Sequence, residues 1–183
     1  MRQTPWLVLL LVVTCYLTQY GAAQRRDPLS DKEIDEMREA ADRPDKRLEL
    51  LASFARARMT SIEQLRTDAK SGKDRPTQIH DLLQDFISLL DEIDDNIDMY
   101  GSHKTDMRKG LKLVIEADSE WQLQLRRLKE QSPPEELDQY SFVLSNASEA
   151  VGDSADGARK ELQEQNELAK NKKLIKVYSE RPD

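Results

Sequence analysis

Few side chains in this sequence could do chemistry, and they are scattered. The two histidines, His80 and His103, would each need further ligands at helical spacing to hold a metal. A di-iron bundle uses Glu-x-x-His pairs, yet Thr77 stands three residues before His80 and Tyr100 three before His103. Both histidines therefore read as solvated polar residues. The one cysteine, Cys15, falls in an N-terminal apolar run. The rest of the chain then has no thiol for disulfides, covalent haem attachment, zinc or nucleophilic catalysis. His-Glu-x-x-His, the nucleophile elbow and the phosphate-cradling glycine loop do not occur. The expectation is no catalytic residue, no cofactor and no metal.

Carboxylates are the remaining candidates. Asp94-Asp95-Asn96-Ile97-Asp98 places oxygens at alternate positions as a calcium loop does, but Met99 occupies the glycine position and Thr105 that of the bidentate glutamate. Ile97 also belongs to an apolar helical stripe. Asp91, Asp94, Asp95 and Asp98 form a row at helical spacing, clustered on one side. It reads as a solvated face, opposed by its own repulsion and by the helix dipole, with Lys104, Arg108 and Lys109 the nearest compensating cations. Asp118 interrupts another stripe; the simpler reading turns Ala117 inward and leaves Asp118 on the flank. Trp121 lies in that stripe and reads as core. Asn146-Ala147-Ser148 matches a glycosylation acceptor, but Ala147 sits on a helical seam, so the match carries little weight.

Helices must position these residues. Ser30 with Glu33 makes a capping box that starts a short helix to about Ala41. Pro44 opens a second helix, with Leu48, Leu51, Ala55, Ile62, Leu65 and Ala69 as its stripe and Phe54 and Met59 beside it, and Gly72 is placed to end it in a left-handed cap. The third helix, from near Pro76 to Gly101, carries the strongest pattern: Ile79, Leu83, Phe86, Leu90, Ile93, Ile97 and Tyr100 step by four and three. A fourth, from about Thr105 to Glu130, repeats it through Met107, Leu111, Val114, Trp121, Leu125 and Leu128. Ser132, Pro133 and Pro134 break the chain, and a fifth runs to about Lys172 on Leu137, Tyr140, Leu144, Ala147, Val151, Ala155, Ala158 and Leu162. Small residues in its middle would allow a neighbouring helix to approach closely, and Gly152 and Gly157 predict a bend or weak point.

Asp42-Arg43-Pro44 recurs as Asp74-Arg75-Pro76 at an offset of 32, and Leu50, Leu51 and Phe54 recur as Leu82, Leu83 and Phe86. A tetratricopeptide solenoid fits less well than a bundle, because the repeat's Trp, Leu-Gly and Tyr pattern is missing. From Thr77 to Tyr100 there are seven acidic side chains and no Lys or Arg, whereas the helices before and after are net basic. That balance, with short connections, predicts helices two and four as neighbours of helix three. The fold expectation is all-α: an elongated up-and-down bundle of four long helices, with the short N-terminal helix lying across it.

Charged residues make up 34% of the chain and apolar ones 38%, so any core must come from narrow stripes. The net charge of −7 argues against a general nucleic-acid binder, which would need a basic stripe to displace counterions from phosphates. Arg2, the apolar run Leu7 to Val13 and Gly21-Ala22-Ala23 read as a signal peptide cleaved after Ala23. Its apolar stretch is too short for a membrane span of about 20 residues, so the membrane enters only through the leader during export. The organisation is then 1–23 signal peptide, 24–29 polar lead-in, 30–172 one helical domain and 173–183 a loose tail. Together these features point to a secreted or periplasmic, non-catalytic protein acting through protein contacts or self-association. A carrier of a lipid or other apolar ligand between the helices is the alternative, and an enzyme the third reading.

Overall fold

The capping box at Ser30 forms as its sequence predicts: the Ser30 backbone N–H donates to the Glu33 carboxylate at 2.8 Å, and the Glu33 N–H to Ser30 Oγ at 3.4 Å. It starts α1, Asp31–Glu39. The computed structural model describes residues 27–68 and 72–179, with side chains as far as 171. The leader with its cleavage point, Cys15, residues 24–26 of the lead-in, Ala69 and residues 180–183 lie outside the described residues. Four long helices follow: α2 (Pro44–Thr67), α3 (Arg75–Ser102), α4 (Arg108–Gln131) and α5 (Pro134–Ser179). No strand occurs among the described residues.

Helix α1 runs back against α2, its start near Arg58 and its end near Arg47. The carboxylate that caps α1 also receives both Arg58 guanidinium nitrogens at 2.7 Å, and Arg47 Nη1 donates to the Met37 carbonyl at 3.2 Å. Arg58 thus fixes the start of α1, and Arg47 its end. The Arg58 hydrogen bonds hold the Glu33 carboxyl down at about 2, against burial that pushes it up and with help from Ser30.

Apolar stripes on the long helices close on one another as the spacing requires. Leu48, Leu51, Ala55, Met59 and Ile62 of α2 meet Ile79, Leu83, Phe86, Leu90 and Ile93 of α3, and α4 and α5 complete the core with Leu111, Val114, Trp121, Tyr140, Ala147 and Val151. The order of helices around the core departs from expectation. Both α3 and α4 pack against α2 and α5, and α3 and α4 stand at diagonally opposite corners. Only long side chains bridge that diagonal: the Phe86 and Trp121 rings meet edge to face, centroids 5.4 Å apart at 84°. Chain direction still alternates. Arg47 at the start of α2 donates to Asn96 near the end of α3 at 2.9 Å, whereas Gly110 of α4 donates to Asp45 of α2 at 2.6 Å. The first pair is antiparallel and the second parallel.

Glycine positions explain three further departures. Helix α2 ends at Thr67 and its C-cap residue, Asp68, is extended; Gly72 does take a left-handed conformation (φ 62°), but at the head of a short 3-10 turn, Gly72–Asp74. Helix α3 runs through Gly101, and Lys104 takes the left-handed position (φ 54°), with Lys104 N–H on the Gly101 carbonyl at 2.9 Å and Thr105 N–H on that of Tyr100 at 3.0 Å. Those two bonds make a Schellman stop without glycine. Helix α5 is continuous through Gly152 and Gly157 for 46 residues, reaching Ser179 instead of ending near Lys172.

Close helix approach occurs at Gly110 instead. A Cβ there would lie 2.9 Å from Leu48 Cδ1 and 3.1 Å from the Asp45 backbone, whereas nothing lies within 4 Å of one at Gly152 or Gly157. Gly110→Ala should therefore lower the urea midpoint. Overpacking costs about 1–3 kcal/mol and exceeds the roughly 1 kcal/mol that alanine gains in helix propensity. An unchanged or raised midpoint would show that α2 yields freely at Asp45.

Candidate functional site

Helix α4 touches two neighbours, so the face it buries is wider than a heptad seam. Ala117 and Asp118 both lie inside it, at 0% and 1% exposure. The expectation that Asp118 would sit on the flank is therefore corrected. Neither of its carboxylate oxygens has a hydrogen-bond partner among the described residues.

Asp118 shares this part of the core with polar groups from two other helices. Asp94 of α3 is half-buried, with Oδ1 covered and unpartnered; Ser154 of α5 is fully buried and its Oγ has no partner; Trp121 Nε1, one helical turn from Asp118, is likewise covered and unpaired. Small side chains on α5, Ala155 and Ala158 beside Ser154, let the helices close over these groups. Burial is the largest effect on both carboxyls. It pushes Asp118 up to about 7, with Arg159 pulling down and the Asp94 charge adding to the rise. It pushes Asp94 up to about 6, where the nearby Ser154 hydroxyl opposes the rise and Asp91, Asp98 and Asp153 reinforce it.

Other buried polar side chains in the bundle behave differently. Asn96 accepts from Arg47 and donates to the Glu92 carbonyl at 2.7 Å. Gln165 accepts from the Met107 N–H at 3.0 Å and donates to the Thr105 carbonyl and to Glu161, pinning the α3–α4 connection to α5. Buried polar groups are nearly always satisfied in this way, so Asp118 and Ser154 are among the exceptions that call for a cause, together with Trp121 Nε1 and, elsewhere in the core, Tyr140 Oη.

The remaining candidates are not brought to this place. His80 lies near the start of α3 with Nδ1 3.3 Å from Asp81, while His103 caps its C-terminus with Nδ1 2.7 Å from the Met99 carbonyl. They are separated by roughly 35 Å of helix at 1.5 Å per residue. Within the acidic row Asp91, Asp95 and Asp98 face solvent, but Asp94 turns inward, which corrects the reading of a uniformly solvated face. The Asp94–Asp98 segment is helical, as the position of Ile97 on the seam implies. No three His, Cys, Asp or Glu side chains among the described residues converge as metal ligands. Trp121 is core, with 0% exposure. Asn146 lies half-buried in mid-helix, and Ser148 Oγ is turned onto the Leu144 carbonyl at 2.9 Å.

What the arrangement can do is hold a proton. Two carboxyls with raised affinity for it, a hydroxyl and an indole N–H offer no nucleophile paired with a base. No protein-family model, curated protein or solved structure matches the chain. No described helix is long and apolar enough to cross a membrane. The class that fold and site define is an all-α bundle with a polar centre.

Proposed function

We propose that this is an exported, non-catalytic helical protein that works through protein contacts, made on the outer sides of α4 and α5. The leader-like sequence of residues 1–23 supports export. The observation that carries the contact reading is Phe142, a large apolar side chain 78% exposed on the outside of α5, with Leu123 of α4 at 46%. Large aromatic side chains are enriched where proteins meet, and an exposed one has no role in the core. The seams themselves are used up: Leu51, Leu90, Val114 and Ala147 are fully covered within one chain. Contact through the seams, or carriage of an apolar ligand between them, would require the bundle to open.

Phe142→Ser and Leu123→Ser test the reading by sedimentation velocity, because neither should disturb folding. The wild-type protein is expected to sediment above its monomer mass, alone or with a protein from the exported fraction, and the double variant as a monomer with unchanged thermal unfolding. A wild type that stays monomeric and partnerless, or one that yields a stoichiometric apolar molecule on solvent extraction, would overturn it.

A further inference from the structure

We infer that Asp118 and Asp94 form a proton-binding site in the core, and that its occupancy decides whether the middle of α5 is closed on the bundle. The warrant is geometric. Asp118 is 1% exposed with both oxygens unpartnered, Ser154 faces the same region without a partner, and Asp94 Oδ1 is covered. A carboxylate in that position must be neutralised or reach water, since a buried charge without a partner is strongly disfavoured. Among the described residues no cation or donor hydrogen-bonds to its oxygens. Arg159 is the cation nearest in effect, and it is engaged with Asp156 at 3.0 Å on the surface.

Apart from Arg159 of α5, the charged groups that act on this site are carboxylates. Helix α3 brings Asp91, Asp94 and Asp98, and α5 brings Asp153 against Arg159. From α2 the charged side chain nearest in sequence register is Arg56, which is held on the outside by Glu120 at 3.2 Å. Ionisation of Asp118 thus places a second charge beside Asp94 in a region already rich in carboxylates. Release is easiest where α5 is intrinsically weakest. Gly152 and Gly157 bracket Ser154, both have open space beside them, and glycine is the poorest helix former after proline.

The direction follows from linkage. Both carboxyls sit above the usual aspartate value of 3.8 when the bundle is closed, so the closed form binds more protons than the open one. Closure is fully favoured below about pH 4 and is lost as pH rises through the closed-state value near neutrality. For Asp118 alone, the opening constant should grow on the order of a hundredfold from about pH 5 to about pH 8.

Amide hydrogen exchange on the full chain reads this directly. After correction for the intrinsic pH dependence of exchange, amides from Val151 to Ala158 in the wild type should open on the order of a hundredfold more at the higher pH. Those on the Leu83 side of α3 should change far less. Asp118→Asn, neutral and of the same shape, should remove most of the change. A wild-type opening constant flat across this range, or an equal rise in Asp118→Asn, overturns the inference. If Asp118→Asn does not fold, the infrared carbonyl band of a protonated carboxyl in the wild type takes its place. Persistence of that band to near neutrality supports the site, and its loss by about pH 5 overturns it. Closure of the segment at the higher pH by millimolar calcium, to the degree seen in acid, would assign the site to a cation and overturn it as well.

Discussion

Leu90→Asp is expected to abolish cooperative folding or to lower stability by about 4 kcal/mol or more, the range that follows when a charge is forced into a packed core without a partner. Leu90 has 0% exposure, as do Phe86 and Ile93 one turn to either side. The new carboxyl would enter a core that already holds Asp118 and half-buried Asp94, so its charge could only add to theirs. Far-ultraviolet circular dichroism against urea measures the effect. A variant with the wild-type midpoint would remove the register assigned to α3.

Trp121→Ala should cost about 3–5 kcal/mol, because it leaves a void the size of an indole where the diagonal helices meet. Phe86 would lose its edge-to-face partner. Trp121→Phe should cost much less: it keeps an aromatic ring and removes an N–H that has no hydrogen-bond partner to lose. Chemical unfolding of both variants separates packing from polarity. Equal losses would mean that the indole N–H is satisfied in solution, by water or otherwise.

Periodicity made most of the fold legible, since a helix that buries one face must repeat apolar residues every three or four positions. The α3 stripe is the clearest case, and all but Tyr100 of its predicted members are buried. What periodicity could not supply is the partner of each face. The acidic count on α3 suggested flanking by α2 and α4, but Asp91, Asp95 and Asp98 point to solvent, so a helix's total charge does not report on what packs beside it. Leu89 and Val143 were missed, and both are buried. Each follows from the same cause as Asp118: a helix with two neighbours covers more than one seam. The small residues of α5 suggested a bend or weak point; the helix runs unbroken through that stretch, where Val151, Ala155 and Ala158 are buried.

The candidate site was half legible. Asp118 stood out as an interruption of a stripe, and the acidic row as a concentration of like charge. That Asp94 leaves the row to face inward depends on where α5 lies, which no spacing within α3 encodes. Gly110 carried no signal at all, because its role is set by Asp45 and Leu48 some sixty residues away in the chain.

The diagonal placement of α3 and α4 has a consequence for how the chain reaches this state. Two helical hairpins, α2 with α3 and α4 with α5, can each form from local contacts. The parallel pairs that join them, seen in Asp45 with Gly110 and Arg75 with Glu136, link positions 65 and 61 residues apart. Assembly is then expected to dock the two hairpins about the short segment that Gln165 pins, with a rate set by that non-local step rather than by helix formation. Because the halves are joined there by one surface connection, a chain cut at Lys104 retains in its two fragments each of the local hairpins, and only their mutual recognition remains to be made.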